Sequence, residues 1–266
     1  MRVVILTSST RGFASLAIPF LEDEPSIEIA KIVYAEGRPT DPAKARRRKI
    51  QKARQIGILG ALNGIRMRSW YSTELVERLG LQSIEAVARA AGCKVDVTPR
   101  VNCPRTRELF EAANADLGLS LGNPFIGRST FSIPRCGMIN IHCEVLPQFR
   151  GAQGVIWQIH EGSKETGFTF HQIDDHIDTG SILYQERLPI EFQRTLKETV
   201  LHNYARVYAA AARGLVQLIR NYGELATSAG AQGDGRSFTT PSIWQFLRMV
   251  RQNRRFYDEA RRGGAA

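Results

Sequence analysis

Short apolar runs alternate with amphipathic stretches along the first half of the chain. Residues 3–7 read as a strand, 13–21 as a helix and 27–34 as a second strand, with the polar turn Ser8-Ser9-Thr10-Arg11-Gly12 after the first. Residues 94–98 and 117–121 have strand character and flank a helical segment at 106–113. This alternation predicts an α/β fold: a Rossmann-like, mostly parallel sheet flanked by helices, with ligands bound beyond the carboxyl ends of the strands. The block INIHCEVLPQFRGAQGVIWQIHEGSKETGFTFHQIDDHIDTGSIL then reads as strand, loop, helix, strand, loop. A strand at 183–190, a long helix at 195–222, a glycine-bearing flexible loop at 228–236 and a basic helix at 243–262 complete the pattern. There is no internal repeat. The expected division is a main domain over 1–190, with a helical insertion at about 44–72, and a short helical C-terminal extension over 191–266.

The insertion carries seven Lys or Arg in eleven positions, Lys44, Arg46, Arg47, Arg48, Lys49, Lys52 and Arg54. Ile50, Ala53, Ile56, Leu59, Leu62 and Ile65 recur every three residues, which suggests one long amphipathic helix or two shorter ones. A solvated basic face over ordinary packing and a contact with a membrane surface or nucleic acid are both open readings. So is a role in shaping a substrate pocket or a subunit contact.

Charge sharpens this picture. A formal net charge of +10 over 266 residues points to anionic partners. Cys93, Cys103, Cys136 and Cys143 lie 10, 33 and 7 residues apart, with no Cys-x-x-Cys pair. They fit reduced thiols, and a cytoplasmic location is expected. No apolar run is long enough to cross a bilayer, and with the first strand beginning almost at Met1 no secretory leader is expected. The first loop lacks G-x-G-x-x-G, so dinucleotide binding gains no support.

The chemistry concentrates in Asn140, His142 and Asp178. Asn140 and Asp178 are 38 residues apart, and each lies where an apolar strand gives way to a polar loop. Taken singly they are ordinary turn residues. Together they follow an ordered set: Asn140-x-His142, Leu146-Pro147-x-x-Arg150-Gly151, Gly162, Gly167 and Ile177-Asp178-Thr179-Gly180. This set resembles the folate-dependent formyltransferase family, whose members act on glycinamide ribonucleotide, methionyl-tRNA and nucleotide-sugar amines. The similarity extends more loosely over roughly residues 1–190. A competing motif, the His-x-Glu of a zinc deaminase at His142-Cys143-Glu144, lacks its Pro-Cys-x-x-Cys half, and no metal is expected.

The resemblance implies transfer of a formyl group from 10-formyltetrahydrofolate to the primary amine of a small anionic, phosphate-bearing substrate, with a nucleotide-linked amino sugar as the preferred acceptor. Formyl transfer passes through a tetrahedral oxyanion, so donors must be aimed at the developing charge. Asn140 and His142, two apart on a strand, share a face and supply them, while Asp178 takes a proton from the attacking ammonium. The family pattern assigns the pterin pocket to Gly122, Asn123, Pro124, Phe125, Ile126, Ile173, Asp174 and Asp175. It assigns substrate contacts to Ser8, Ser9, Thr10, Arg150, Gly151 and His171. A plain helix cap at 8–10 and a satisfied strand histidine at 171 are the equally open structural readings, and His160, His176 and His202 are expected to be structural.

Two departures from the family pattern, Cys143-Glu144 and Ala152-Gln153-Gly154, bear on which amine is used. The 76 residues after 190 are expected to be mostly helical, which disfavours a tRNA acceptor and nucleic acid in general. Glycinamide ribonucleotide or tRNA formylation, hydrolysis of the formyl folate, and a non-catalytic basic protein binding nucleic acid or membrane are the alternatives. A homodimer is also open.

Overall fold

Alternate residues of the first strand point to opposite sides of the sheet, and both sides are covered, which is why its sequence is a continuous apolar run. Val3 and Ile5 enter one core; Val4 and Leu6 enter another. The computed structural model describes residues 1–37, 41–151 and 153–263. Its strands are β1 (Arg2–Thr7), β2 (Glu28–Ala35), β3 (Val95–Thr98), β4 (Leu117–Ser120), β5 (Met138–His142), β6 (Phe149–Gly151), β7 (Glu165–Gln172), β8 (Ile182–Pro189) and β9 (Arg236–Phe238). Its helices are α1 (Phe13–Glu22), α2 (Pro42–Ser69), α3 (Leu75–Leu79), α4 (Ile84–Ala90), α5 (Pro104–Ala113), α6 (Arg128–Phe131), α7 (Ile156–Glu161), α8 (Leu196–Arg220), α9 (Tyr222–Ser228) and α10 (Ile243–Gly263).

Seven strands form one sheet in the order β3-β2-β1-β4-β5-β7-β8. The first five are parallel; β7 runs antiparallel to both β5 and β8. The sheet is therefore mixed, with the expected parallel part and an antiparallel edge. Strand order reverses between β1 and β4, so a crevice opens beyond their carboxyl ends. Asn123, just after β4, spans it by donating to Leu6 O at 2.7 Å and accepting from Ser8 Oγ at 3.0 Å.

Helix α8 is capped by Thr195, whose hydroxyl accepts from Glu198 N. It buries Val207, Ala211 and Leu215 against Phe13, Phe168 and Phe170. This helix, expected at the head of an extension, is thus part of the main core. The following loop, expected to be flexible, is tied down: Gln232 Nε2 donates to Gly180 O at 2.7 Å, Arg150 donates to Gly233 O at 2.9 Å, and β9 pairs in parallel with β6. Helix α10 then docks Phe246 and Met249 beside Trp70 and Trp157.

The insertion departs most from expectation. Its three-residue apolar spacing does not become a buried stripe: Leu59, Leu62 and Ile65 are each about 60% exposed (63%, 59% and 63%). At 3.6 residues per turn, positions three apart drift by about 60° per step and wind around the helix. Of the two expected forms, one long helix or two shorter ones, the second is found: Gly57, with φ 78° and ψ 160°, breaks α2 into two segments. The buried face consists instead of Gly60, Asn63, Gly64 and Met67, small enough that Thr240 and Ser242 pack directly on the two glycines. The side chains of Lys44 and Lys49, like Ala152 in the turn that departs from the family pattern, lie outside the described residues.

Candidate active site

Register brings the site together. Antiparallel pairing sets Asn140 opposite His171 and His142 opposite Thr169, with Asn140 and His142 on one face at the carboxyl end of β5. The loop after β7 folds back over that end. Thr179 donates to Asp174 at 2.7 Å, and Gly180 lies so close to Gln172 O that a Cβ there would fall 1.8 Å from it. Asp178 completes the turn with φ 55°, a conformation its short polar side chain tolerates.

The carboxylate of Asp178 accepts from Gly151 N at 3.2 Å and lies 3.8 Å from His142 Nδ1 and 3.7 Å from His171 Nε2. Gly151 reaches it in a left-handed conformation (φ 101°), with Phe238 O only 2.3 Å from where a Cβ would stand. His142 Nε2 lies 2.8 Å from Phe149 O, a carbonyl, so Nε2 carries the proton and donates. Nδ1 is left facing Asp178, and it donates to a substrate only when the ring is doubly protonated.

His171 is almost fully buried, and burial lowers its pKa below the usual histidine value despite its bond to Gln172 and the nearby Asp178. The neutral ring fits its contacts: Nδ1–H donates to Gln172 O at 2.8 Å, and Nε2 accepts from Asn140 Nδ2 at 3.3 Å. One amide hydrogen of Asn140 is thereby fixed and the other is left for a ligand. His171 thus orients the Asn140 amide.

Two cavities meet here. The first, about 430 Å³, is lined by Gly122, Asn123, Pro124, Phe125, Ile126 and Ile173, and also by Asn140, His171 and Asp178. Asp174 and Asp175 do not line it. Asp174 is spent on its own loop, accepting from His176 N and Thr179, and Asp175 pairs with Arg128 on the outside. His176, Ile177 and Phe238 do line it, which the sequence reading missed.

The second cavity, about 800 Å³, lies towards α2 and is lined among others by Phe13, Lys52, Arg68, Tyr71, Tyr204 and Glu144. The two share Gly122, Asn123, Ile141, His142 and Gly151. Ser8, Ser9 and Thr10 line neither. Their loop closes on itself, with Ser8 bonded to Asn123, Ser9 to Arg11 O and Thr10 O accepting from Ile84 N. Arg150 also turns away, to Gln232 and Gly233.

Glu144 is 2% exposed, and its Oε2 has no hydrogen-bond partner among the described residues. Burial, and then the charge of Asp178, push its carboxyl well above the usual carboxylate range. Its neighbour Cys143 is pushed up to about 12 by burial. Among the described residues, no group of three or more His, Cys, Asp or Glu is arranged to hold a metal, and no helix is long and apolar enough to cross a membrane.

In sequence, residues 99–219 match the model of the Formyl transferase family. A methionyl-tRNA formyltransferase of Synechococcus sp. (strain JA-3-3Ab) is 33% identical over 141 residues, 53% of this chain and 42% of that protein. A GDP-perosamine N-formyltransferase of Brucella melitensis is 47% identical over 55 residues, 21% of each. The matched segments thus span less than two thirds of either relative.

In structure, phosphoribosylglycinamide formyltransferase from Anaplasma phagocytophilum aligns over 90% of this chain and 99% of its own, with TM-score 0.57 and 15% identity. An N-formyltransferase from Helicobacter canadensis in complex with folinic acid and dTDP-3-aminofucose covers 95% and 80%, with TM-score 0.54 and 14% identity. These two similarities speak to the fold. The family match runs from just after β3 to the last turn of α8 and contains Asn140, His142 and Asp178, so this segment of the chain is similar to the Formyl transferase family.

Proposed function

We propose that this protein transfers a formyl group from 10-formyltetrahydrofolate to a primary amine. The observation that carries this reading is the meeting of two cavities at His142 and Gly151, on the wall of both, with Asn140 and Asp178 beside them on the wall of the first. Two substrates can each approach one reactive centre from its own side. The first cavity suits a flat heteroaromatic ring: Phe125, Ile126, Ile173 and Ile177 give apolar walls, and the left-handed Gly122 exposes backbone. The folate supplies an activated one-carbon unit when bound.

Asn140 donates its free amide hydrogen towards the formyl oxygen as negative charge gathers there. His142 donates from Nδ1 when doubly protonated. Asp178 takes one proton from the ammonium, which frees the nitrogen lone pair to attack the formyl carbon; as the bond from that carbon to the folate nitrogen then breaks, the folate nitrogen takes up the second proton that the amine loses. His171 holds Asn140 in place, and Gly151 N donates to Asp178.

The relatives divide among tRNA, ribonucleotide and sugar-amine acceptors, so likeness alone supports the reaction class without choosing among them. We take the acceptor to be a small molecule, a nucleotide-linked amino sugar by preference, because a cavity of about 800 Å³ is of small-ligand size. The reading is tested by turnover of 10-formyltetrahydrofolate with an amine panel in two variants. Asn140→Ala should lose on the order of 10²- to 10³-fold, and Asp178→Asn, which keeps the shape without the base, should lose comparably. Unchanged rates in both would exclude the assignment.

A further inference from the structure

The larger cavity has a polarity that the reactive residues do not use. Its wall holds His142 and Glu144 beside the site and also two helix cations, Lys52 and Arg68. They are sixteen residues apart, and a straight helix would separate them by about 24 Å. The break at Gly57 lets both halves of α2 border the same space. Neither has an acidic partner among the described residues, although many other arginines of the chain are paired. Lys52 is pushed below its usual pKa by desolvation and then by the charge of Arg68, as expected of two cations facing one space.

The same cavity has aromatic walls, with Tyr71, Tyr204, Tyr208 and Phe13. In the loop at 8–10, where the family pattern would put a phosphate, the Ser8 and Ser9 hydroxyls are committed to Asn123 and to Arg11 O.

We infer that Lys52 and Arg68 form a phosphate subsite for the acceptor, built from α2 in place of the first loop, so that the acceptor spans the cavity with its amine at Asp178 and a phosphate or diphosphate at these two cations. This rests on the formyl-transfer reading for the amine end. The phosphate can belong to a free nucleotide or to a lipid headgroup. The second source has a reason on the surface, since Ile58 (79%), Leu59 and Leu62 lie exposed on the same helix, flanked by Arg54 and Arg66.

The test is calorimetric titration of the full chain, saturated with folinic acid, with pyrophosphate, UDP, dTDP and GDP, alongside flotation with vesicles of phosphatidylcholine alone or with 30% phosphatidylglycerol. That percentage, roughly a physiological anionic load, is chosen to expose charge dependence. Each is repeated with Lys52→Ala, Arg68→Ala and the double variant. Both side chains are exposed, so the fold is expected to survive.

Binding of a diphosphate that weakens about tenfold or more per variant supports the subsite with a free acceptor. Binding only to the anionic vesicles, lost in the variants, supports it with a lipid-borne acceptor. Absence of binding in every arm, or binding that the double variant retains, overturns it. Folinic acid titrated alone separates this from the parent reading: if the wild type does not take it up, the formyl-transfer proposal fails, whereas uptake in all proteins without any diphosphate or vesicle response rejects only the subsite.

Discussion

Gly180→Ala probes how tightly the site depends on the loop that carries Asp178. An added Cβ would fall 1.8 Å from Gln172 O and 2.7 Å from its carbon, backbone atoms of a strand end that cannot swing aside like a flexible side chain. Real Cβ contacts essentially never fall below 3.0 Å, so loop and strand must part by at least the difference, 1.2 Å. The strand end that would move carries His171, and the loop carries Asp178, 3.7 Å apart.

A displacement of about 1 Å at a reacting group can cost on the order of 10²-fold in rate, while overpacking of this kind costs about 1–3 kcal/mol of stability. The expected result is therefore a folded protein with a modestly lower Tm and about 10²-fold slower amine-dependent release of tetrahydrofolate. Gly223→Ala, where nothing lies within 4 Å of the new Cβ, is the control and should leave both quantities near wild type. Wild-type turnover in Gly180→Ala would refute the claim that the loop position sets the reaction geometry.

Other outcomes follow from burial and charge. Glu144 holds its proton more tightly folded than unfolded, so its cost to stability grows as pH rises from about 4.5 towards its raised value. Glu144→Gln should therefore gain Tm relative to wild type with increasing pH, and a constant difference across the range would contradict a buried neutral carboxyl. His171 has the opposite sign: its lowered pKa means stability is lost as pH falls below 6.5 towards the folded value. His171→Asn should flatten that acid limb in thermal melts and slow turnover by misplacing Asn140, and neither change would be expected if the ring were only filler. Phe168→Ala, which empties a fully buried site against Phe170 and α8, should cost about 3–5 kcal/mol in denaturant unfolding.

Much of the candidate site's placement was legible because its parts sit at strand ends with fixed spacing. Asn140 and His142 share a face by the two-residue period of a strand, and the sequence placed Asp178 on the loop that closes over them. Their convergence also needs the antiparallel turn of β7, and no local pattern announces that β7 reverses direction; the Asn140–His171 contact follows from that register alone.

The wall residues split by what each side chain already holds. Gly122 to Ile126 face the cleft, whereas Asp174 is consumed by its own turn and Asp175 by Arg128. Phe238 and Thr240 were invisible because they reach the site through pairing of β9 with β6, a long-range contact between short segments. The insertion misled for a simple reason: its conspicuous aliphatic residues repeat at three, while its packing stripe is made of glycines, an asparagine and a methionine that no hydropathy pattern marks.

The central claim is formyl transfer to an amine at the junction of the two cavities. Release of tetrahydrofolate from 10-formyltetrahydrofolate, followed by absorbance with and without a panel of phosphate-bearing amines that includes nucleotide-linked amino sugars, tests it most directly. The account predicts release that requires one of these amines and falls by about 10² or more in Asn140→Ala. Release that proceeds equally without any amine, or a protein that neither binds folinic acid nor releases tetrahydrofolate, would contradict it.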